Sequence, residues 1–442
     1  DEAKILISLV YCNKIRVDPK KLYSLFSSST GVSIDTRKIS KDQMFFSLKG
    51  NNFDGNKFAL EAIKNGAKFA VVDDKRLQDK DNRIIYVNDS LKALQDLSNY
   101  HRSLFDTKVI GITGSNGKTT TKNLIYSILS QTYNVIKTKG NLNNHIGVPL
   151  SLLDINENVD IAVIEMGANH IGEIKALCEI AMPDFGLITN YGYAHLEGFG
   201  GFEGVIKGKS EMFEYLTQNY GHIILNNDDK IQIKNCKGDL AVTFGEKEGS
   251  EFLFKYKKEQ KFLSFENNGD KYSCEIYGDY NFTNIAASIT IGKFLDISST
   301  DIQKGLISFK NDSNRSEILD YGSNKIYLDA YNANPTSMKA AILNFENNIT
   351  ENKILILGDM YELGEFSNNE HQNIIDFIED KDFMKVYLVG DIFYNCKTKS
   401  KYFERFKSTE EMLKSVIFQD FNSTNILIKG SRGLGLENLI TS

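Results

Sequence analysis

The chain has 442 residues, of which 41% are hydrophobic and 25% are charged, and its formal net charge is −6. This length is enough for about three domains of ~150 residues each, and the composition is ordinary for a globular protein. The negative net charge excludes a general nucleic-acid-binding protein, which needs a basic surface. The five cysteines are scattered without a C-x-x-C pair, which predicts free thiols in a reducing compartment and neither a zinc site nor a disulfide framework.

Membrane and secretion signals are also not expected. No apolar run approaches the roughly 20 residues that span a bilayer. The sequence does not begin with Met, but acidic residues rather than basic ones precede its first apolar run, so we expect no signal peptide. These features predict a cytoplasmic protein without a membrane span. A monomer is expected, and the sequence features above do not bear on the oligomeric state.

Residues 1–105 form the first predicted domain, a small α/β unit. MFFSLKG (44–50) and KFAVVDD (68–74) are typical of short buried strands. NKFALEAIKNGA (56–67) between them predicts a helix that Gly66 closes.

Residues 106–311 form the second predicted domain. Val109–Thr113 is a short β-branched strand, followed by a glycine-rich turn and a segment, KTTTKNLIYSILSQTY (118–133), with apolar residues at helical spacing. Two more strands lie in DIAVIEMG (160–167) and FGLITNYG (185–192). This alternation predicts a parallel sheet covered on both faces. The stretch 240–277 instead favours antiparallel hairpins.

Residues 312–442 form the third predicted domain. KIYLDAY (325–331), KILILGDM (353–360), KVYLVGD (385–391) and NILIKGS (425–431) are apolar strands separated by helix-length segments. The pattern predicts a doubly wound, Rossmann-like domain. The linkers near residues 105 and 311 are the expected hinges.

The stretch GITGSNGKTTTKNL (111–124) resembles a phosphate-binding loop with unusual spacing. The standard loop, G-x-x-x-x-G-K-[ST], would require glycine where Ile112 stands. The context of strand, glycine turn and helix still favours anion binding by backbone amides at the helix start. Lys118 is expected to reach the β- and γ-phosphates and Thr119 to bind Mg²⁺. The alternative is a glycine turn with an incidental lysine.

Polar residues follow the next two predicted strands. Glu165 ends one strand and is suited to hold Mg²⁺, and His195 follows the other. Because the carboxyl ends of strands in open α/β sheets face one crevice, we expect both residues to meet the loop. The alternatives are a solvated carboxylate and a structural histidine. Imidazole is an unusual Mg²⁺ ligand. Lys207 and Lys209 lie on the following predicted helix, and by themselves they would be interpreted as solvated cations.

The segment GSNGKTT (114–120) resembles the signature of the Mur ligase family, the ATP-dependent amide-bond-forming enzymes of peptidoglycan synthesis. The resemblance extends from about Leu22 to the end of the chain. It is closest to the member that adds D-alanyl-D-alanine, and these segments carry it: EMGANHIGEI (165–174), TNYGYAHLEGFG (189–200), DAYNANPTSMKAAI (329–342), LGDMYELGEFS (357–367) and IKGSRGLGLE (428–437).

The resemblance implies three domains. The first binds a UDP-sugar, the second binds ATP, and the third closes over the site and brings the amino substrate. It also implies ATP and two Mg²⁺ ions as cofactors, with Lys209, matched by K-x-E-[IM]-F, as a carbamylated metal ligand. The implied catalytic residues are Lys118, Glu165, His195 and Lys209, and the implied metal ligands are Thr119, Glu165, His195 and Lys209.

Two further residue sets are implied by the same match. The nucleotide contacts are Gly114, Ser115, Asn116, Gly117, Lys118, Thr119, Thr120, Asn281, Asn284, Arg315, Asp329 and Asn332. The substrate contacts are Ser33, Asp35, Arg37, Asn141 and Asn144. The chain departs from the family pattern at Asn314, where glycine is common, and at Thr36, where serine is common.

The reaction implied is ATP-dependent addition of D-Ala-D-Ala to UDP-MurNAc-tripeptide through an acyl phosphate, a cytoplasmic step of bacterial cell-wall synthesis. The third residue of the acceptor, diaminopimelate or lysine, stays open.

The ligase that adds that third residue often carries a D-N-P-R motif, which this chain lacks. Folylpolyglutamate synthase lacks the SIDTR segment (33–37), a kinase would not need the outer domains, and a non-catalytic nucleotide-binding regulator would be expected to lack Glu165, His195 or Lys209. Because the ligase motifs extend almost to Ser442, we expect no fused racemase domain.

Overall fold

A computed structural model describes residues 18–258, 263–310, 315–416 and 421–440. The chain forms two compact units. The first contains residues 18–110, 136–166 and 176–183, and the second contains residues 111–135, 167–175 and 184–440. Within the described ranges, no helix is both long and apolar enough to cross a membrane. The four cysteines in these ranges are free thiols, whereas Cys12 and Asn314 lie outside them.

The helices, in chain order, are α1 (Pro19–Phe26), α2 (Ala59–Lys64), α3 (Ser90–Arg102), α4 (Lys118–Leu129), α5 (Gly147–Leu152), α6 (Glu173–Ala181), α7 (Leu196–Phe199), α8 (Phe202–Gln218), α9 (Lys230–Asn235), α10 (Phe282–Phe294), α11 (Ser299–Ser308), α12 (Pro335–Asn348), α13 (Ser367–Ile378), α14 (Asp391–Tyr394) and α15 (Thr409–Ser415). The strands are β1 (Val32–Ser33), β2 (Met44–Phe46), β3 (Lys49–Gly50), β4 (Phe53–Asp54), β5 (Phe69–Val72), β6 (Ile84–Tyr86), β7 (Lys108–Thr113), β8 (Val135–Lys137), β9 (Ile161–Glu165), β10 (Phe185–Ile188), β11 (His222–Asn226), β12 (Ala241–Gly245), β13 (Phe252–Leu253), β14 (Lys255–Lys258), β15 (Leu263–Asn267), β16 (Asp270–Cys274), β17 (Glu317–Tyr321), β18 (Asn324–Asp329), β19 (Lys353–Gly358), β20 (Lys385–Val389), β21 (Phe403–Phe406) and β22 (Asn425–Lys429).

The first unit contains a four-stranded parallel sheet in the order β1-β2-β5-β6. Met44, Phe46 and Val71 of this sheet are fully buried against helices α1 and α3. Helix α2 ends just before Gly66, whose φ of +106° places it in the left-handed region that favours glycine. The predicted strand–helix–strand pattern is therefore present. A second, separate sheet has seven strands, and its strands β9 and β8 lie in this unit in the order β7-β9-β8.

The second unit begins within β7 and continues its sheet in the order β7-β10-β11-β12-β13. The pairs β10–β11, β11–β12 and β12–β13 are all parallel. Buried apolar residues on these strands, such as Ile223 and Val242, explain the continuous apolar runs.

The stretch 240–277 differs in part from the prediction of antiparallel hairpins. Strands β14, β15 and β16 do form an antiparallel sheet. However, β12 and β13 extend the parallel sheet instead. Val242 and Phe244 on β12 are buried, so burial of this apolar strand against its parallel neighbour outweighs the local hairpin signal.

The second unit also holds a six-stranded sheet in the order β17-β18-β22-β19-β20-β21. Its strand pairs are parallel except for the antiparallel pair β17–β18. Ile326, Ile354, Ile356 and Ile428 lie in its core. This arrangement confirms the α/β fold class, with a Rossmann-like last sheet, that the four apolar segments predicted.

Candidate active site

Backbone geometry shapes the glycine loop between β7 and α4. Gly114 has φ +141° and Gly117 has φ +82°. A Cβ atom at Gly114 would lie 1.9 Å from Thr189 Oγ1, and one at Gly117 would lie 2.6 Å from Asn284 Oδ1. The loop therefore requires glycine at both positions. Helix α4 begins at Lys118, so the glycine loop leads into a helix N-terminus, where backbone N–H groups and the helix dipole favour an anion.

The segment after β10 holds this loop in place. The Ser115 amide donates to the Asn190 carbonyl oxygen at 3.0 Å. The Asn116 amide donates to the Asn190 side-chain oxygen Oδ1 at 3.1 Å. Thr189 Oγ1 donates to the Asn116 carbonyl at 2.6 Å, and Ser115 Oγ donates to the Gly192 carbonyl at 3.0 Å. These bonds fix the loop conformation before any ligand binds.

Lys118 lies over the loop from which it projects. Its Nζ donates to the Gly114 carbonyl at 2.6 Å and to the Ser115 carbonyl at 3.3 Å. The two threonines that follow, Thr119 and Thr120, are buried at the start of α4. The lysine thus folds back over the glycine loop, and both threonines lie in the first turn of the helix that follows it.

The asparagine pair expected near the nucleotide also lies beside the loop. Asn284 Nδ2 donates to Asn281 Oδ1 at 2.9 Å, and Asn281 Nδ2 donates to the Tyr277 carbonyl at 2.8 Å. Both asparagines are buried. Because the Asn284 amide packs directly against Gly117, this pair forms one wall of the loop.

His195 lies in the same unit and contacts a carboxylate. Its Nδ1 is 2.5 Å from Glu362 Oε2. The hydrogen bond with His195, and secondarily the charges of His195 and Lys118, hold the pKa of Glu362 below its usual range. The histidine, the glutamate and the phosphate-loop lysine therefore share one electrostatic environment.

Lys209 on α8 is fully buried. Among the described residues its Nζ has no hydrogen-bond partner, and the ring centroid of Phe199 lies 5.4 Å away. Burial lowers the pKa of Lys209 strongly, the charge of Lys118 lowers it further, and Glu173 opposes both. The surroundings of Lys209 thus disfavour its charged form, whereas Lys207 on the same helix is exposed. The solvated-cation interpretation holds for Lys207 and is wrong for Lys209.

Glu165 belongs to the first unit, at the end of β9. It is only 2% exposed, which rules out a solvated carboxylate. Its Oε1 accepts a hydrogen bond from Asn143 Nδ2 at 2.8 Å, and its amide donates to Thr138 Oγ1 at 2.9 Å. The first contact orients the carboxylate, and the second holds the backbone that carries it.

The predicted nucleotide contacts near the last sheet have varied surroundings. The Arg315 guanidinium stacks 3.6 Å from the centroid of the Tyr331 ring. Asp329 accepts from the buried Lys429 Nζ at 2.5 Å, so its charge is already neutralised by an internal cation. Asn332 is exposed, and its Oδ1 accepts from the Ala333 amide at 2.9 Å.

The predicted substrate contacts all lie in the first unit. Asp35 and Arg37 form a bidentate pair, with Nε–Oδ1 and Nη2–Oδ2 distances of 2.9 and 2.8 Å, and this pair lowers the pKa of Asp35 to about 2. Ser33 Oγ donates to the Asp35 carbonyl at 3.1 Å. Asn141 is exposed, whereas Asn144 Oδ1 accepts from the Ile146 and Gly147 amides, at 3.1 and 2.9 Å, just before α5.

Comparison with known proteins gives these residues a context. Three family descriptions match the chain: "Mur ligase family, catalytic domain" over residues 28–102, "Mur ligase middle domain" over 112–292, and "Mur ligase, glutamate ligase domain" over 314–432. A Bacillus subtilis protein named UDP-N-acetylmuramoyl-tripeptide–D-alanyl-D-alanine ligase is 35% identical over 428 residues, covering 93% of this chain and 92% of its own. The chain belongs to the Mur ligase family.

Solved structures are also similar to this Mur ligase. The crystal structure of MurF from Acinetobacter baumannii has a TM-score of 0.87 and 28% identity, covering 97% of this chain and 99% of that one. The MurF ligase of Thermotoga maritima, solved in complex with ADP, has a TM-score of 0.81 and 27% identity, covering 94% and 96% of the two chains.

Sequence reasoning missed several residues of this Mur ligase site. Asn143 orients Glu165, and Glu362 contacts His195. Asn334 caps α12 and donates from Nδ2 to Asn116 Oδ1 at 2.7 Å. Asn334 and Glu362 lie in segments that carried the family resemblance, as polar residues without an assigned role, and Asn143 lies between the predicted substrate contacts Asn141 and Asn144.

The side chains that could hold a metal ion are of unusual types. Among the described residues, no three His, Cys, Asp or Glu side chains cluster as a metal site. Of the predicted ligands, only Glu165 and His195 are of those types. Thr119 offers a hydroxyl, and Lys209 offers a neutral amine that would have to be modified to become an oxygen ligand.

Proposed function

We propose that this chain is an ATP-dependent ligase that joins D-Ala-D-Ala to UDP-MurNAc-tripeptide and releases ADP and phosphate in the bacterial cytoplasm. Relatives with this name match the chain over nine-tenths of its length. The observation that carries the proposal is the fully buried Lys209, whose Nζ has no hydrogen-bond partner among the described residues, in the same unit as the Gly114–Thr120 loop. A simple nucleotide-binding protein has no use for such an amine.

We assign a role to each of three parts of the chain. Residues 1–105 bind the UDP-sugar, residues 106–311 bind ATP, and residues 312–442 bring the amino substrate. The divisions fall between α3 and β7 and between α11 and β17. The acceptor is held by Ser33, Asp35, Arg37, Asn141 and Asn144, and the working form is a monomer.

ATP binds at the glycine loop. The amides of the loop and of the first turn of α4 donate hydrogen bonds to the phosphate oxygens, and Lys118 moves from its own carbonyl partners to the phosphates. Asn281 and Asn284, which flank Gly117, lie beside the base, and Arg315, Asp329 and Asn332 approach the nucleotide from the last part of the chain. The remaining loop contacts are Gly114, Ser115, Asn116, Thr119 and Thr120.

Lys209 is suited to become a carbamate. Only a neutral amine attacks CO₂, with loss of one proton, and the low pKa of Lys209 supplies that neutral form. The product is an anion with two oxygens in place of an unpaired nitrogen. With Thr119, Glu165 and His195 it provides ligands for two Mg²⁺ ions. Bound Mg²⁺ would neutralise the charge of the phosphates and of the acceptor carboxylate.

The chain's own groups serve an acyl-phosphate route. The acceptor carboxylate attacks the γ-phosphorus of ATP, the bond to ADP breaks, and the amine of D-Ala-D-Ala then displaces phosphate from the acyl carbon. Two anions must approach in the first step, so Lys118 and the loop amides lower its barrier by opposing their repulsion. Closure of the parts over each other excludes water, which would otherwise hydrolyse the acyl phosphate.

An ADP-release assay with each co-substrate omitted in turn tests the proposal. We expect release only when the tripeptide nucleotide and D-Ala-D-Ala are both present. Lys118→Ala should abolish that release. Turnover with single amino acids but not with the dipeptide would contradict the substrate assignment.

Lys209 has its own test in the same assay. Lys209→Ala should be inactive and should recover part of its activity in short-chain carboxylates, which can replace the carbamate. Lys207→Ala is the matched control, because Lys207 lies on the same helix but is exposed. Full activity of Lys209→Ala would remove this residue from the mechanism.

A further inference from the structure

We propose that Glu362 is a positioning residue that fixes the tautomer and orientation of His195 and thereby couples the last part of the chain to the nucleotide site. His195 follows β10, whereas Glu362 follows β19 in the last sheet. Their side chains meet with Nδ1 and Oε2 2.5 Å apart. The inference rests on the proposed function, because it gives His195 a defined state in that reaction.

The contact determines which ring nitrogen carries the proton. At 2.5 Å a carboxylate oxygen would repel a ring lone pair, so the contact places the proton on Nδ1, although the two groups are not aligned as a regular hydrogen bond. In a neutral imidazole this leaves the lone pair on Nε2, where it is free to accept a proton or bind a cation. A carboxylate beside the far nitrogen of a histidine orients the ring in this way.

Backbone conformation shows that the contact is built into the fold. His195 and Glu362 both have left-handed backbones, with φ of +53° and +62°. Such conformations are unfavourable for non-glycine residues and persist only where surrounding contacts impose them, most often at functional sites. An ordinary surface ion pair would not require two such residues to face each other.

Neighbouring contacts join the two loops. The Glu197 amide donates to the Glu362 carbonyl at 3.4 Å. Gly364 has φ +53°, and a Cβ atom there would lie 2.9 Å from Glu197 Cβ. A larger residue at position 364 would push the loops apart, so the close approach preserves the His195–Glu362 contact.

The pair also lies within reach of the phosphate-loop lysine. Lys118 acts electrostatically on Glu362, in addition to the contact with His195. Glu362 is about half exposed, so it can move with its own loop without disturbing a core. The contact therefore joins the loop after β19 to the residue that follows β10.

The test compares Glu362→Ala with Glu365→Ala, a matched loss of charge three residues away on the same loop. Histidine-selective ¹⁵N NMR of the metal-free and nucleotide-free protein reports the tautomer, and His195→Gln assigns the signal among the six histidines. We expect His195 to be protonated on Nδ1 in the wild type and in Glu365→Ala. In Glu362→Ala it should shift towards the form protonated on Nε2.

Kinetics supply the second readout. Glu362→Ala should raise the Mg²⁺ concentration for half-maximal activity by about 10- to 100-fold, with Glu365→Ala unchanged. Glu362→Gln keeps an oxygen acceptor, so it should restore the Nδ1 tautomer and most of the Mg²⁺ response. An unchanged tautomer in Glu362→Ala, or a Glu362→Gln variant as impaired as Glu362→Ala, would overturn the inference. A wild type that does not ligate D-Ala-D-Ala would instead overturn the proposed function, while the NMR result still decides the pair.

Discussion

Replacement of Lys209 by Met should stabilise the fold while removing activity. The side chain is 0% exposed, and its Nζ finds no hydrogen-bond partner among the described residues. Met has nearly the same length, carries no hydrogen-bonding group that must be satisfied, and can pack its sulfur against the Phe199 ring. A stabilising substitution at a proposed catalytic position is the expected sign of a site that stores strain for function.

Two terms give the size of the effect. An unsatisfied buried polar group costs about 1–3 kcal/mol, which Lys209→Met removes. In addition, Lys209 stays protonated in the unfolded chain up to about pH 10.4. In the folded chain its pKa is much lower, so Lys209 loses its proton at a lower pH. Between these two values the wild type therefore loses about 1.4 kcal/mol of its free energy of unfolding for each pH unit of acidification. Met has no such proton, so its advantage grows as the pH falls.

Urea denaturation in CO₂-free buffer at pH 9 and pH 7 measures both terms. The chain has no tryptophan, so far-UV circular dichroism is the appropriate signal. Lys207→Met, an exposed change on the same helix, should leave the free energy of unfolding within about 0.5 kcal/mol of the wild type at both pH values. A Lys209→Met protein that is less stable than the wild type, or whose advantage is the same at both pH values, would refute the reasoning.

Local patterns in the sequence were sufficient for most of the fold. Apolar segments such as KILILGDM predicted buried parallel strands, because a strand covered on both faces must be apolar at every position. Glycines at 114 and 117 predicted a turn between a strand and a helix, and both residues have positive φ. Parallel pairing of β12 was missed, because a single strand does not encode which neighbour it will pair with.

The state of the site side chains could not be predicted in the same way. Lys209 and Lys207 are two residues apart on one helix, and only packing against Phe199 and its surroundings makes one a neutral amine. Its assignment therefore came from the family resemblance. Glu362 was overlooked because its partner, His195, is more than 160 residues away in sequence, and no local pattern links the two.

Substitutions at Gly117 and Asn334 test the loop and its neighbours. Gly117→Ala should weaken nucleotide binding at least about 10-fold in calorimetric titration, because a left-handed Ala costs about 1–2 kcal/mol and its Cβ would meet the Asn284 amide at 2.6 Å. Gly249 has a similar φ of +92°, but a Cβ atom there would lie in open space, so Gly249→Ala carries the backbone cost without the steric contact. An equal loss of nucleotide affinity in Gly249→Ala and Gly117→Ala would contradict the steric argument. Asn334→Ala should lower the free energy of unfolding by about 1 kcal/mol through loss of the α12 cap. Asn334→Asp keeps that cap but cannot donate to Asn116, so it should retain stability and raise the KM for ATP; an unchanged KM would show that the bond to the loop is dispensable.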